Sequence, residues 1–311
     1  MRAGVDAPYD NPYSKILHEG TWPNYWRLHW IQPLHKRESR ADPGKYRGVH
    51  LTAQVSKVVE RAIGHTFLPW ARKENVYGEN QYAYTTARSH KDALAANVCS
   101  WLLKLEEGKV LALYCSDVSG AFDRVRKSRI IAKLRKSGLH PKVVRFLESW
   151  LDDRTCSVVV GGQCSDPRVL RNSVFQGTVL GPPLWNIFYR DASNATSRLE
   201  FIEVVFADDL NCTREFPAGT SCEECLDALD KCQRILHTWG RANSVTFNST
   251  KEGFHILHRR IGSGGNFRIL GVTFDVGLLM DEAIAEIAKE AGWRLRDLLR
   301  PRRFLRGTKD N

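Results

Sequence analysis

FIEVVFADDLNCT, residues 201–213, reads as two short apolar strands joined by an acidic turn, and KVLALYCSD, residues 109–117, reads as a third strand ending on an aspartate. Runs of Val, Leu, Ile and Tyr suit a buried pleated sheet, while Gly108, Ser119 and Gly120 bound the third strand. Working outward, helical spacing predicts helices over 49–68, with Val55, Val58, Val59, Ala62 and Ile63 on one face, and over 89–105. Two basic helical segments follow at 126–137 and 141–151, then a hairpin-like pair, RTCSVVV and RVLRNSV, and a helix over 179–198. Beyond the acidic turn come a helix over 221–239, short strands near 254–257 and 267–274, and a helix over 281–299. Residues 1–50, rich in Trp, Tyr, Pro and His, predict an irregular, partly extended lobe. The order is α+β and suits a split βαβ antiparallel sheet backed by helices. In such a sheet the first and third major strands are neighbours, which brings Asp117 beside Asp208 and Asp209.

The chain of 311 residues is 42% hydrophobic, enough for a substantial core. Its 46 Lys and Arg against 35 Asp and Glu leave a net charge of +11, which favours nucleic acid or an acidic membrane surface as partner. Between Arg124 and Arg171 there are twelve basic and four acidic residues, and between Lys289 and Asn311 eight and three. These stretches are either solvated helix faces or backbone-binding surfaces. No apolar run reaches the roughly 18–20 residues of a spanning helix, and residues 1–15 lack the apolar centre of a secretory signal, so the expectation is a soluble intracellular protein without a membrane partner. The eight scattered cysteines show no disulfide framework. Cys222, Cys225, Cys232 and His237 do not suit zinc, because one helix would set Cys222 and Cys232 roughly 15 Å apart. They read as helix packing.

Three carboxylates at one spot raise each other's pKa and destabilise a fold unless a cation neutralises them. Mg²⁺ prefers one or two carboxylates plus phosphate oxygens. Two such ions about 3.5–4 Å apart suit the in-line displacement of nucleotidyl transfer. Taken by themselves, the same residues also read as a helix cap, Asp117, and an ordinary hairpin turn, Asp208–Asp209.

SDVSGAFDRV, FQGTVLGPPLWN, FADD, NSTK and LGVTFD occur in this order, and with them the sequence resembles the reverse transcriptases, most closely those of LINE-type non-LTR retrotransposons. The resemblance runs from about Trp26 to Leu305. It implies a right-hand polymerase fold with fingers to about residue 108, a palm over 109–279 and a truncated start of a thumb over 280–311. It implies an RNA-directed DNA polymerase using an RNA template, a DNA primer or target DNA, and dNTPs, with two Mg²⁺ ions for which Mn²⁺ can substitute. Element-encoded proteins would supply an endonuclease, and the location would be the nucleus or a cytoplasmic ribonucleoprotein.

Residue by residue, the resemblance makes Asp117, Asp208, Asp209 and the Val118 carbonyl the metal ligands. Phe122 matches a steric gate against a ribose 2′-hydroxyl, the other reading being a core aromatic. Gln176 and Gly177 match the element bracing the incoming base pair, or form a plain loop. Lys251 matches a basic residue that approaches the triphosphate and protonates the leaving pyrophosphate, or is a solvated lysine. Lys36, Arg37, Lys45 and Arg47 match cations holding the triphosphate, and Leu270, Gly271 and Val272 a primer grip. NQYAYTTARSHKDAL, with Gln81 and Arg88, resembles the segment linking fingers and palm. Two rival readings stay open: an RNA-dependent RNA polymerase, which Phe122 disfavours, and a catalytically inactive nucleic-acid-binding remnant of a retroelement.

Overall fold

A computed structural model describes residues 12–36, 39–172, 174–249 and 251–305. Helix α1 (Pro12–Glu19) leads into β1 (Leu28–His35) and β2 (Tyr46–Leu51), which pair antiparallel. The lobe expected to be irregular therefore holds a helix and two strands. Polar and aromatic residues interleave in LHWIQPLH, and Pro33 sits inside it, so no period stands out. Helices α2 (Gln54–Lys73) and α3 (His90–Glu106) follow. The start of α3 is fixed by a capping box, in which the Asp92 amide donates to Ser89 Oγ while the Asp92 carboxylate accepts from the Ser89 amide.

The expected face of α2 is rotated. Val59 and Ile63 are buried, whereas Val55 and Val58 are 64% and 62% exposed. Glu60 takes the inward position because its carboxylate accepts the amide protons of Val179, at 2.8 Å, and Leu180, at 3.3 Å. An acid there answers the unpaired amides of a helix start.

Strand β3 (Val110–Ser116) is buried at every position. Its alternate residues serve two cores: Val110, Ala112 and Tyr114 join one cluster, Leu111, Leu113 and Cys115 the other. A strand covered on both faces reads as an unbroken apolar run, which is why the sequence showed it so plainly. The chain continues through the short α4 (Ala121–Arg124), α5 (Lys127–Lys136) and α6 (Pro141–Leu151), then β4 (Thr155–Val160), β5 (Gln163–Cys164) and β6 (Arg168–Val169). Helix α7 (Gly181–Ser197) precedes β7 (Ile202–Phe206) and β8 (Asp209–Phe216). After α8 (Cys222–Asn243) come β9 (Gly253–Leu257), β10 (Phe267–Ile269), β11 (Val272–Phe274) and α9 (Asp281–Leu305). Cys225 and Cys232 of α8 are buried in the core, as packing residues.

Two larger sheets organise these elements among the described residues, beside a two-stranded one. Strands run β7-β8-β3-β9 in the first, each pair antiparallel, and β2-β1-β4-β5 in the second, where β1 and β4 are parallel and β6 also pairs with β4. Residues 267–274 form a hairpin whose two turn residues, Leu270 and Gly271, both have positive φ, 49° and 90°. No helix among the described residues is long and apolar enough to cross a membrane.

Candidate active site

The register of β3 and β8 decides where the acids meet. Ser116 pairs with Leu210, so the next step along both strands sets Asp117 opposite Asp209. Phe206 pairs with Asp209, leaving Ala207 and Asp208 as a two-residue turn. Ala207 takes a φ of 59°, a conformation that costs a non-glycine residue on the order of 1 kcal/mol or more. Its peptide groups are held by side chains. Gln81 Oε1 accepts from the Ala207 amide at 2.9 Å, Gln81 Nε2 donates to the Ala207 carbonyl at 3.4 Å, and Trp185 Nε1 donates to that carbonyl at 2.9 Å.

Burial raises the Asp208 pKa to about 6, with the negative charge of Asp117 adding to the effect. Asp209 is raised too, by burial first and then by the charges of Asp208 and Asp117. Lys251 Nζ donates to Asp117 Oδ2 at 2.8 Å. Burial opposes the lysine's charge, yet that bond and the three carboxylates hold its pKa above the usual lysine value. An antiparallel bridge seats Asp117 further: Asn248 donates to the Asp117 carbonyl at 2.8 Å and Ser119 to the Thr246 carbonyl at 2.9 Å. This leaves the Val118 carbonyl outside the bridge.

The donor set therefore suits a hard divalent cation: all oxygen, and so crowded that added positive charge relieves a cost already present. Among the described residues no three His, Cys, Asp or Glu side chains already stand at ligand spacing around one point. The Lys251 ion pair engages one of the carboxylates instead.

One cavity of about 630 Å³ gathers most of the other candidates: Lys36, Lys45, Arg47, Phe122 and Gln176 line it together with Asp117, Val118, Asp208, Asp209 and Lys251. Lys36 and Lys45 are paired by the bond from the Lys36 amide to the Lys45 carbonyl, 2.8 Å. Phe122 stacks on Trp185, with ring centroids 5.9 Å apart and planes at 22°, so one side of its ring is backed and it remains half-buried. Gln176 is seated by its carbonyl, which accepts from the His50 amide at 2.8 Å. Gly177 has a φ of 102°, and a Cβ there would lie 2.8 Å from the His50 carbonyl oxygen. The close approach that Gly177 permits is to β2 of this chain. Arg37 lies outside the described residues.

Leu270 and Gly271, with Arg268, line a second cavity of about 530 Å³ that also reaches Asp117, Asp209 and Lys251. Val272 follows them as the first residue of β11. Among the residues of the larger cavity that sequence reading did not single out are Tyr84 and Asn248. Tyr84 stands in the quoted NQYAYTT stretch with a φ of 57°, which no residue pattern announced.

A strand-end aspartate beside an acidic hairpin turn, on an antiparallel sheet whose cavity is lined by Lys36, Lys45 and Arg47, is the layout of a right-hand polymerase. Residues 34–274 match the family model described as Reverse transcriptase (RNA-dependent DNA polymerase), and the chain belongs to that family. It is 27% identical to the RNA-directed DNA polymerase from mobile element jockey of Drosophila melanogaster, over 88% of this chain and 32% of that protein. It is also 27% identical to the probable RNA-directed DNA polymerase from transposon BS of the same fly, over 77% and 27%. The resemblance to LINE-type elements read from the motifs is thus matched by whole-domain similarity, and the chain spans about a third or less of these relatives' length. In fold it is similar to apo telomerase from Candida tropicalis truncated from its C-terminal domain, with a TM-score of 0.58 and 14% identity over 83% of this chain and 55% of that one.

Proposed function

We propose that this chain extends a DNA primer on an RNA template by two-metal nucleotidyl transfer. The observation that carries the reading is the pairing register that brings Asp117 and Asp209 together, with Asp208 in the adjoining turn. Asp117, Asp208 and Asp209, with the Val118 carbonyl, would hold Mg²⁺ or Mn²⁺. When bound, the two ions lower the pKa of the primer 3′-hydroxyl and neutralise the departing pyrophosphate.

The chain's own residues do the rest. Lys36, Lys45 and Arg47, with Arg37 next to Lys36 in sequence, bind the triphosphate by charge. Phe122, backed by Trp185, presents a ring with neither space nor hydrogen-bond partner for a 2′-hydroxyl, which favours deoxynucleotides and disfavours the RNA-polymerase reading. Gln176 and Gly177 brace the base pair. Leu270, Gly271 and Val272 seat the primer end beside Asp117. Lys251 exchanges its partner Asp117 for the triphosphate and delivers a proton to the leaving pyrophosphate. In this division residues to about 108 form the fingers, 109–279 the palm and those after 279 begin the thumb.

Primer extension on poly(rA)/oligo(dT) with Mg²⁺ or Mn²⁺, with Asp208→Ala as control, tests the proposal. Extension by the chain and none by the variant is the expected result. Salt-dependent binding of the duplex with extension by neither protein would establish the inactive remnant instead.

A further inference from the structure

Lys251 needs a rigid seat if it is to reach Asp117 and then the triphosphate, since a lysine 60% exposed has a freely rotating stem. The seat lies one residue further on. Glu252 has a side chain only 7% exposed, and its Oε1 is shared by the Tyr114 hydroxyl and by His237 Nε2, the latter at 2.7 Å. A carboxylate only accepts, so both neighbours donate. His237 is itself held flat on Phe247, with centroids 5.2 Å apart and planes at 7°.

Each partner belongs to an element that matters for the carboxylates. Tyr114 lies three residues before Asp117, on the strand that carries it. His237 comes from α8, and Phe247 is bridged to Val118. The Lys251 and Glu252 amides both donate to the Asn248 carbonyl, at 2.9 and 3.1 Å, while the Asn248 amide is hooked to the Asp117 carbonyl. Lys251 thus stands between two attachments, the Asn248 main chain on the Asp117 carbonyl and the Glu252 side chain on Tyr114 and His237.

We infer that Glu252, held by Tyr114 and His237, is a positioning residue that sets the reach of Lys251 toward Asp117 and, through it, toward the pyrophosphate oxygens of a bound deoxynucleoside triphosphate. The inference rests on the role proposed above for Lys251. A plain structural role for Glu252 accounts for its burial but not for its placement next to a lysine ion-paired with Asp117. Hydrogen-bond acceptance, not charge, is what the seat requires. Glutamine at 252 therefore preserves it and alanine removes it.

The test is competitive acylation of the full chain with an amine-reactive ester, read lysine by lysine by mass spectrometry. It is applied to the unchanged protein, Glu252→Ala, Glu252→Gln, Tyr114→Phe and, as reference, Asp117→Asn. Glu252→Ala should raise Lys251 labelling about two- to fivefold, the factor released when a half-exposed ion pair loosens. Glu252→Gln should restore the original value, Tyr114→Phe should fall between, and Lys104 and Lys133 should not change. Unchanged Lys251 labelling in Glu252→Ala overturns the inference, as does a rise shared by all lysines, which means general loosening. Single-nucleotide incorporation gives the functional arm: Glu252→Ala should slow the step on the order of tenfold, and should slow it no further once Lys251→Ala is present. An undiminished rate for Lys251→Ala sinks the proposed role of Lys251, while the labelling still decides for or against the seat.

Discussion

Gln81 and Ala207 are 126 residues apart in sequence, yet the Gln81 carboxamide meets both peptide groups of Ala207, accepting from its amide at 2.9 Å and reaching its carbonyl at 3.4 Å. Ala207 is the left-handed residue of the acidic turn, so a buried glutamine sets the posture of Asp208 and Asp209 without being near the chemistry in sequence. Removing the side chain in Gln81→Ala orphans a buried amide, a loss of about 1–3 kcal/mol. Urea unfolding should register it, and primer extension should fall further than the lost stability explains. Gln81→Glu keeps the acceptor for the Ala207 amide but buries a fourth carboxylate beside the acidic turn and sets an oxygen against the Ala207 carbonyl, so it should recover neither.

The raised carboxylates give a pH dependence of definite sign. A group whose folded pKa lies above its unfolded one contributes stability below the unfolded value and loses it as pH rises through the folded value. For Asp208 that window runs from the ordinary value of 3.8 to about 6, and Asp209 extends it upward. Melting temperature without divalent cation should therefore decline across this range. Added Mg²⁺ should raise it more at pH 8 than at pH 5, because protons and cation compete for the same oxygens. Asp209→Asn should flatten both trends; a melting curve insensitive to Mg²⁺ at every pH would count against the metal assignment.

A second titration opposes the first. His29 and His50 are 4% and 2% exposed, and their rings touch through Nε2 and Nδ1 at 2.7 Å. Burial lowers the His29 pKa to about 3, with the charges of His50 and Arg154 adding to the effect, and lowers His50 to about 4, with Arg154 contributing. Lowered histidines contribute stability above their unfolded value of 6.5 that is lost as pH falls toward the folded values. Below pH about 6 each additional proton taken up by the unfolded chain steepens the loss by about 1.4 kcal/mol per pH unit. Acid unfolding of the unchanged protein and of His29→Asn/His50→Asn, followed by circular dichroism, should show the slope shrinking in the double variant.

Phe122→Val should raise ribonucleotide incorporation relative to deoxynucleotide on the order of tenfold or more. Single-nucleotide competition assays measure the ratio directly. Equal ratios for both proteins would leave Phe122 as packing for Trp185 alone.

Gly177→Ala meets two obstacles at once, a φ of 102° and a Cβ 2.8 Å from the His50 carbonyl oxygen. We expect a destabilisation of about 1–3 kcal/mol, accompanied by weaker nucleotide binding because β2 also carries Arg47. Denaturant midpoints and nucleotide KM separate the two effects.

How much of this was legible depends on the range of the cause. β3 and the FADD hairpin were plain because apolar runs ending in acids are local signals, and the pairing of Asp117 with Asp209 followed from simple strand order. The seat of Lys251 on Asp117, the clamp of Gln81 and the burial of Glu60 at the head of α7 were not, since each joins residues more than a hundred positions apart. Helical spacing put Val55 and Val58 inside and structure puts them outside, because one buried carboxylate with two amide partners outweighs two valines in turning α2. Gly177 was expected at the element bracing the base pair, and no residue pattern announced that its missing side chain accommodates the main chain of β2. The amino-terminal strands were hidden by mixed polar and aromatic residues that carry no period.

The parallel pairing of β1 with β4, Leu28 opposite Thr155, also constrains how the chain is made. On a ribosome β1 emerges early but gains its second neighbour only after residue 160 has cleared the exit, and β3 likewise waits about a hundred residues for β8. Until then the buried face of each strand is open to other chains, and long-range pairings of this kind form slowly. Yield in cells should therefore respond to translation rate and chaperone supply more than to the stability of the finished fold.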